Sequence, residues 1–148
     1  MSSKYGLLLS IKPEYCRMIL SGEKTVELRR KMSDSIEMNT TVIIYSTSPV
    51  KKIVGHARVE SVERMSVRRI WCEFGKQSGV PYSFFKEYFD GRKEGYALVL
   101  SQPEEFERPI PLKELQDLFG FRPPQSYMYL NEKIRSAISY FNHSAIAA

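Results

Sequence analysis

An α+β fold around a twisted or closed sheet is what this sequence predicts, on three observations. About six segments with strand periodicity are interspersed with four or five short helical ones, in no regular βαβ order. Neither a GxGxxG nor a P-loop motif occurs, so a doubly wound nucleotide-binding sheet is unsupported. The 148 residues, 43% hydrophobic and 12% aromatic, are enough for one domain with its own core. We read that domain as residues 1–143, followed by a short tail, 144–148.

Each element has a local reason. Tyr5 to Ile11 alternates Leu7, Leu9 and Ile11 with Gly6, Leu8 and Ser10, as a largely buried strand does. Pro13 suits the first turn of a helix and Gly22 its left-handed end, which frames about two turns with Tyr15, Met18 and Ile19 facing inward. Glu23 to Arg30 returns to alternation, with Lys24, Val26 and Leu28 on one face and Thr25, Glu27 and Arg29 on the other. Thr40–Ser46 and Lys52–Val62 are β-rich and flank a Ser48-Pro49-Val50-Lys51 turn, a hairpin pattern. Ser66 can cap a helix carrying Val67, Ile70, Trp71 and Phe74 at i, i+3, i+4, i+7, and Pro81 and Gly91 frame a second one rich in aromatics. Gly95–Ser101 reads as a strand, Leu112–Phe119 as a helix, Ser126–Leu130 as a short strand, and Asn131 as the cap of a last helix.

Composition narrows the function. The longest purely aliphatic or aromatic run, Tyr96-Ala97-Leu98-Val99-Leu100, is five residues long, so no membrane-spanning helix is expected. The start of the chain lacks the basic and apolar regions of a secretory signal, and a cytoplasmic location is expected. Cys16 and Cys72 have no CxxC spacing and read as buried thiols. With His56 and His143 far apart, no structural metal site is expected. The net charge of +5 lies wholly in the first half: thirteen Lys/Arg meet eight acids up to Phe74, whereas nine meet nine afterwards. That asymmetry is what a polyanion-binding surface leaves in a sequence, and also what a mildly basic solvated surface looks like.

The most specific segment is Gly22-Glu23-Lys24-Thr25-Val26-Glu27-Leu28-Arg29, a GxKxxExR pattern directly after the first helix. Lys24 offers a mobile ammonium, Arg29 a planar fork suited to phosphate or a base edge, and Glu27 a carboxylate that orients the guanidinium, accepts from an exocyclic amine or serves as a base. A surface Glu–Arg pair worth ~0–1 kcal/mol is the alternative. On that reading neither Lys24 nor Arg29 belongs to the core, and truncating either is expected to cost no more than about 0.5 kcal/mol.

This pattern resembles the signature of the ASCH superfamily, small relatives of the PUA-like RNA-binding barrels. Ile43-Ile44-Tyr45-Ser46-Thr47-Ser48-Pro49, then Ile53-Val54-Gly55-His56-Ala57, and finally Phe119 through Tyr127 resemble the following blocks of a bacterial and phage branch, in order. The resemblance implies a β-barrel of about six strands with flanking short helices, and a cleft beside the first helix and second strand that accepts RNA or a nucleotide. Family precedents make it either an RNA-directed hydrolase, ribonuclease-like, or an amidohydrolase of a modified nucleoside such as acetylated cytidine. For the latter, Glu27 occupies the position of the family's threonine. A non-catalytic RNA-binding regulator of transcription or translation is the third reading.

On this basis Lys24, Glu27 and Ser126 are the candidate catalytic residues. Arg29, Arg30, Tyr45, Ser46, Ser48, Lys51, Lys52 and Tyr127 are candidates for nucleic-acid contact. Tyr45, Ser46 and Ser48 also fit an ordinary polar turn, and Tyr127 also fits a core position. No protein metal ligands are named, although a ribonuclease of this type leaves a divalent cation open. The partner expected is RNA or a nucleotide, bound by a monomer. Trp71 is assigned to the core, His56 to the surface, and His143 receives no role.

Overall fold

The computed structural model describes residues 6–142; the sequence-read tail, His143 and the start of the first strand at Tyr5 lie outside the described residues. Six strands and five helices follow in the order β1 (Leu7–Ile11), α1 (Pro13–Ser21), β2 (Val26–Arg29), β3 (Thr41–Ser46), β4 (Lys52–Ser66), α2 (Val67–Ser78), α3 (Tyr82–Tyr88), β5 (Glu94–Pro111), α4 (Leu112–Phe119), β6 (Tyr127–Tyr129) and α5 (Glu132–Phe141). The expected caps are present. Pro13 opens α1, Ser66 Oγ accepts from Arg69 N at 3.2 Å, and Asn131 Oδ1 accepts from Ile134 N at 2.9 Å.

All six strands form one sheet, ordered β2-β5-β4-β3-β1-β6, in which only β1 and β3 run parallel. The sheet curls into a half-barrel, so the fold is α+β as expected. The curl originates in β4 and β5, whose pairing shifts register three times, and each such bulge adds bend and twist. One shift flanks Gly55, where the strands cross so closely that a Cβ would lie 2.5 Å from the Glu104 carbonyl oxygen. Only glycine fits there.

β5 corrects the sequence reading by running ten residues past Ser101. Gln102-Pro103-Glu104-Glu105 looks like a loop because it is polar and carries a proline. After Leu100, however, whose N–H still donates to Thr25 O at 2.8 Å, β5 keeps β4 as its one strand partner, and an edge strand tolerates proline. β4 likewise extends from Val62 to Ser66.

Three apolar clusters divide the interior. The concave side holds Leu7, Leu9, Ile11, Ile19, Val42 and Ile44 under α1. On the convex side α4 and α5 cover Leu8, Ile43, Tyr45 and Ile53, while α2 and α3 cover Val26, Leu28, Met65 and Ala97. Trp71 is only half buried at the edge of the last cluster, against Tyr82 and Phe85 at 5.1 and 4.9 Å. Cys16 is buried as expected, but Cys72 is exposed on α2.

His56 is also a correction. It is buried, at 8% exposure, beside the Phe106 ring 5.3 Å away, because the bulges turn this part of β4 under β5. Its Nε2 has no hydrogen-bond partner and lies 3.6 Å from Glu104, and burial lowers its pKa.

Candidate functional site

The two ends of the sheet, β2 on one side and β1 with β6 on the other, approach across the open side of the half-barrel and leave a cleft of about 340 Å³. Its floor is an ion network. Gly22 ends α1 in the left-handed region at φ 88°, and the chain turns so that Lys24 N bonds Met18 O at 2.9 Å and Thr25 N bonds Gln77 O at 3.0 Å. Lys24 thus lies in a turn before β2, not on the strand. The alternation that set it opposite Glu27 does not reach it, and a turn geometry lets Lys24 Nζ approach Glu27 Oε1 to 3.3 Å.

Lys24 is 2% exposed. Its Nζ donates to Ser78 O at 2.6 Å and stands 5.2 Å from the centre of the Tyr15 ring. Ser78 ends α2, where unsatisfied carbonyls and the helix dipole favour a cation. Gly79 beside it has φ 69°, and a Cβ there would meet Met18 at 2.6 Å, so glycine permits this close junction of α1, α2 and the lysine. Burial lowers the Lys24 pKa, and the Glu27 carboxylate opposes that shift.

Glu27 reaches Arg29 as well, Oε2 to Nη2 at 2.9 Å. From β2, Arg29 crosses the open seam: Nη2 donates to Ser10 O at 3.0 Å, and Nη1 to Ser126 O at 3.2 Å and Ser126 Oγ at 3.0 Å. Its Nε is buried without a partner, and the residue is 7% exposed. Lys24 and Arg29 are therefore core residues, contrary to the sequence expectation. The two cations share one carboxylate, which leaves a buried excess of one positive charge.

Above this floor stands an aromatic wall. Phe84 and Tyr88 of α3 lie nearly parallel, 5.9 Å apart, and Tyr15 of α1 packs on Phe84 at 5.8 Å. Two further cations frame it, Lys12 Nζ at 5.3 Å from the Phe84 ring and Arg30 at 4.7 Å from the Tyr88 ring. The Tyr15 pKa is raised, first by burial and then by Glu14 and Glu27.

Of the residues named from sequence, Lys24, Glu27, Arg29, Arg30 and Ser126 line this one cleft. Ser48 and Lys51 on the β3–β4 turn and Lys52 at the start of β4 are exposed and do not line it, whereas Thr47 of that turn does. Tyr45 is 3% exposed and points to the convex side, edge-on to Phe121. Ser46 is buried near the Cys16 thiol, and Tyr127 packs half buried against the concave core. Tyr15, Phe84 and Tyr88 were legible only as helix core. The signal for more was Phe84 with Tyr88 and Phe85 with Phe89, two aromatic i,i+4 pairs on adjacent helix faces, of which a single core needs one. Among the described residues Glu27 is the one carboxylate lining the cleft, both its oxygens face cations, and no group of three His, Cys, Asp or Glu gathers anywhere. These residues do not fit a divalent-metal site.

A curled α+β half-barrel with a basic, aromatic-walled cleft at its open seam defines a PUA-like domain. Within that class, the chain belongs to the ASCH domain family, which matches residues 9–110. It is similar to an ASCH domain-containing ribonuclease of Zymomonas mobilis, with 32% identity over 127 residues that span 85% of this chain and 84% of that one. The crystal structure of ASCH from Zymomonas mobilis superposes with a TM-score of 0.85 at 30% identity, covering 92% and 95% of the two chains. Human THYN1, solved with DNA containing 5-methylcytosine, shares the fold at a TM-score of 0.59 and 11% identity over 92% and 96% of the chains. No helix among the described residues is long and apolar enough to cross a membrane.

Proposed function

We propose that the protein binds single-stranded RNA in this cleft and hydrolyses it. The observation that carries the reading is the Lys24–Glu27–Arg29 network, whose uncompensated positive charge faces a wall of three aromatic rings. A nucleotide presents the complementary pair of features, a phosphate and a flat base, and base–aromatic stacking contributes about 1–3 kcal/mol per base. The Zymomonas relative named as a ribonuclease supports the same reaction class.

RNA cleavage needs a base for the attacking hydroxyl, stabilisation of a phosphorane, and a proton for the departing oxygen. Glu27 is the cleft's carboxylate and takes the base role. Arg29 and the Ser126 hydroxyl, 3.0 Å apart, donate to the non-bridging oxygens. Lys24, whose pKa burial lowers, releases a proton more readily than a free lysine and suits the leaving oxygen. His56 does not line the cleft and has no part in this scheme.

Incubating the protein with a mixed RNA pool and with acetylated nucleosides, with and without divalent cation, and reading products by mass spectrometry tests the proposal. Shortened RNA is the expected product, reduced in Glu27→Gln. Deacetylated nucleoside with intact RNA would instead establish the modified-nucleoside amidohydrolase, and binding without either product would establish the regulator.

A further inference from the structure

A second depression, of about 320 Å³, adjoins the cleft and shares Arg30 with it. Its other polar walls are Lys31, Arg64, Arg92, Glu94 and Tyr96. Its position follows from sheet register. Arg29 pairs with Tyr96 across β2–β5, and Tyr96 with Arg64 across β5–β4, so one rung sets the three side by side on the same face. The row begins in the cleft floor and ends in the depression. Beyond β2 the chain continues with Arg30 and Lys31, and Arg92 Nη1 donates to the Arg30 carbonyl at 3.4 Å, which ties the loop after α3 to the same rim.

Charge here is unbalanced in the same direction as in the cleft. Arg64 is held by Glu94 at 3.1 Å and by Asp34 at 3.6 Å, and its guanidinium lies 5.9 Å from the Tyr96 ring. Those two carboxylates face four cations, Arg30, Lys31, Arg64 and Arg92, all of them exposed. An exposed cluster with a net charge of about +2 attracts a polyanion, and its excess is aligned with the cleft rather than scattered.

We infer that this depression is a second subsite, which holds the backbone phosphates of the nucleotides adjoining the one in the cleft. The inference rests on the RNA reading of the cleft and extends it. Arg30, with its guanidinium over Tyr88 and its neighbours in the depression, stands at the junction, where the phosphodiester between the two nucleotides would pass. The substrate class is thereby a strand of at least two or three nucleotides, not a free nucleoside, and affinity grows with length over that range.

The test compares a 5′-phosphorylated mononucleotide with a 2′-O-methyl trinucleotide, which resists cleavage by its own 2′-oxygen, on wild type and on Lys31→Ala/Arg64→Ala. Both substituted side chains are exposed and outside the cleft, so the variant folds and keeps its mononucleotide affinity. Wild type is expected to bind the trinucleotide roughly tenfold or more tightly than the mononucleotide at low salt. The variant is expected to lose most of that gain, with a salt slope shallower by about 1.4, which is ~0.7 for each of two phosphate contacts. A wild type that binds the mononucleotide but gains nothing from length overturns the subsite and leaves the cleft reading intact. So does a variant that binds the trinucleotide as wild type does. A wild type that binds neither probe overturns the cleft reading, and the subsite with it.

Discussion

Arg29→Ala should destabilise this protein far more than a change at an ordinary polar side chain. The guanidinium makes three hydrogen bonds, to Ser10 O, Ser126 O and Ser126 Oγ, and an ion pair of 2.9 Å with Glu27. Ser126 is exposed and regains water when the arginine is removed, so its two bonds contribute little to the loss. The Ser10 carbonyl and Glu27 Oε2 are buried and are left without that partner, and breaking a buried charge pair typically costs about 3–5 kcal/mol. That is a large part of the ~5–15 kcal/mol by which a domain is stable. At ~2–4 °C per kcal/mol for a chain of this size, the melting temperature should fall by roughly 6–20 °C. Urea unfolding gives the free energy, with Arg30→Ala as the exposed control, expected within about 0.5 kcal/mol of wild type. Glu27→Gln/Arg29→Ala should cost less than the sum of the single changes, since each single change strands the other's charge. A loss below about 1 kcal/mol for Arg29→Ala would refute the view that this residue pins the two ends of the sheet together.

Other consequences are accessible to simple assays. His56 is buried with a lowered pKa, so between that value and the ordinary ~6.5 the unfolded chain binds a proton that the folded one does not. Stability should therefore fall as pH drops below about 6.5, and denaturation of His56→Leu across pH should show a shallower decline; equal slopes would contradict this. Burial pushes the Cys16 thiol up to about 12, whereas Cys72 is exposed, so a thiol reagent at neutral pH should titrate one cysteine in the native protein and two in urea. Phe84→Ala should weaken RNA binding by about 1–3 kcal/mol with the salt slope unchanged, while Arg30→Ala should make that slope shallower by ~0.7.

The sequence disclosed most of the architecture because the elements are marked locally: Pro13, Ser66 and Asn131 start helices, and the apolar periods are clear. It did not disclose the length of β5, since strand partners on one side only make Pro103 acceptable, a fact of topology. The same distinction governs the site. Lys24, Glu27 and Arg29 are close in sequence and were visible as a unit. Ser78, which holds Lys24, lies 54 residues away, and Ser126, which holds Arg29, lies 97 away, so the burial that fixes these charges in place is invisible before folding. Tyr45 looked available because it ends a strand, but its alternation carries it to the side covered by α4 and α5.

RNA in the cleft at the open seam would lie against Tyr15, Phe84 and Tyr88. Cross-linking a short RNA containing 4-thiouridine to the wild-type protein, followed by peptide mass spectrometry, addresses that placement directly. Adducts on peptides carrying Tyr15, Phe84 or Tyr88, suppressed by excess unlabelled RNA, are the expected result. Specific adducts confined to the Ser48–Lys52 turn, or to Trp71 and Tyr82 on the far side of α3, would contradict it.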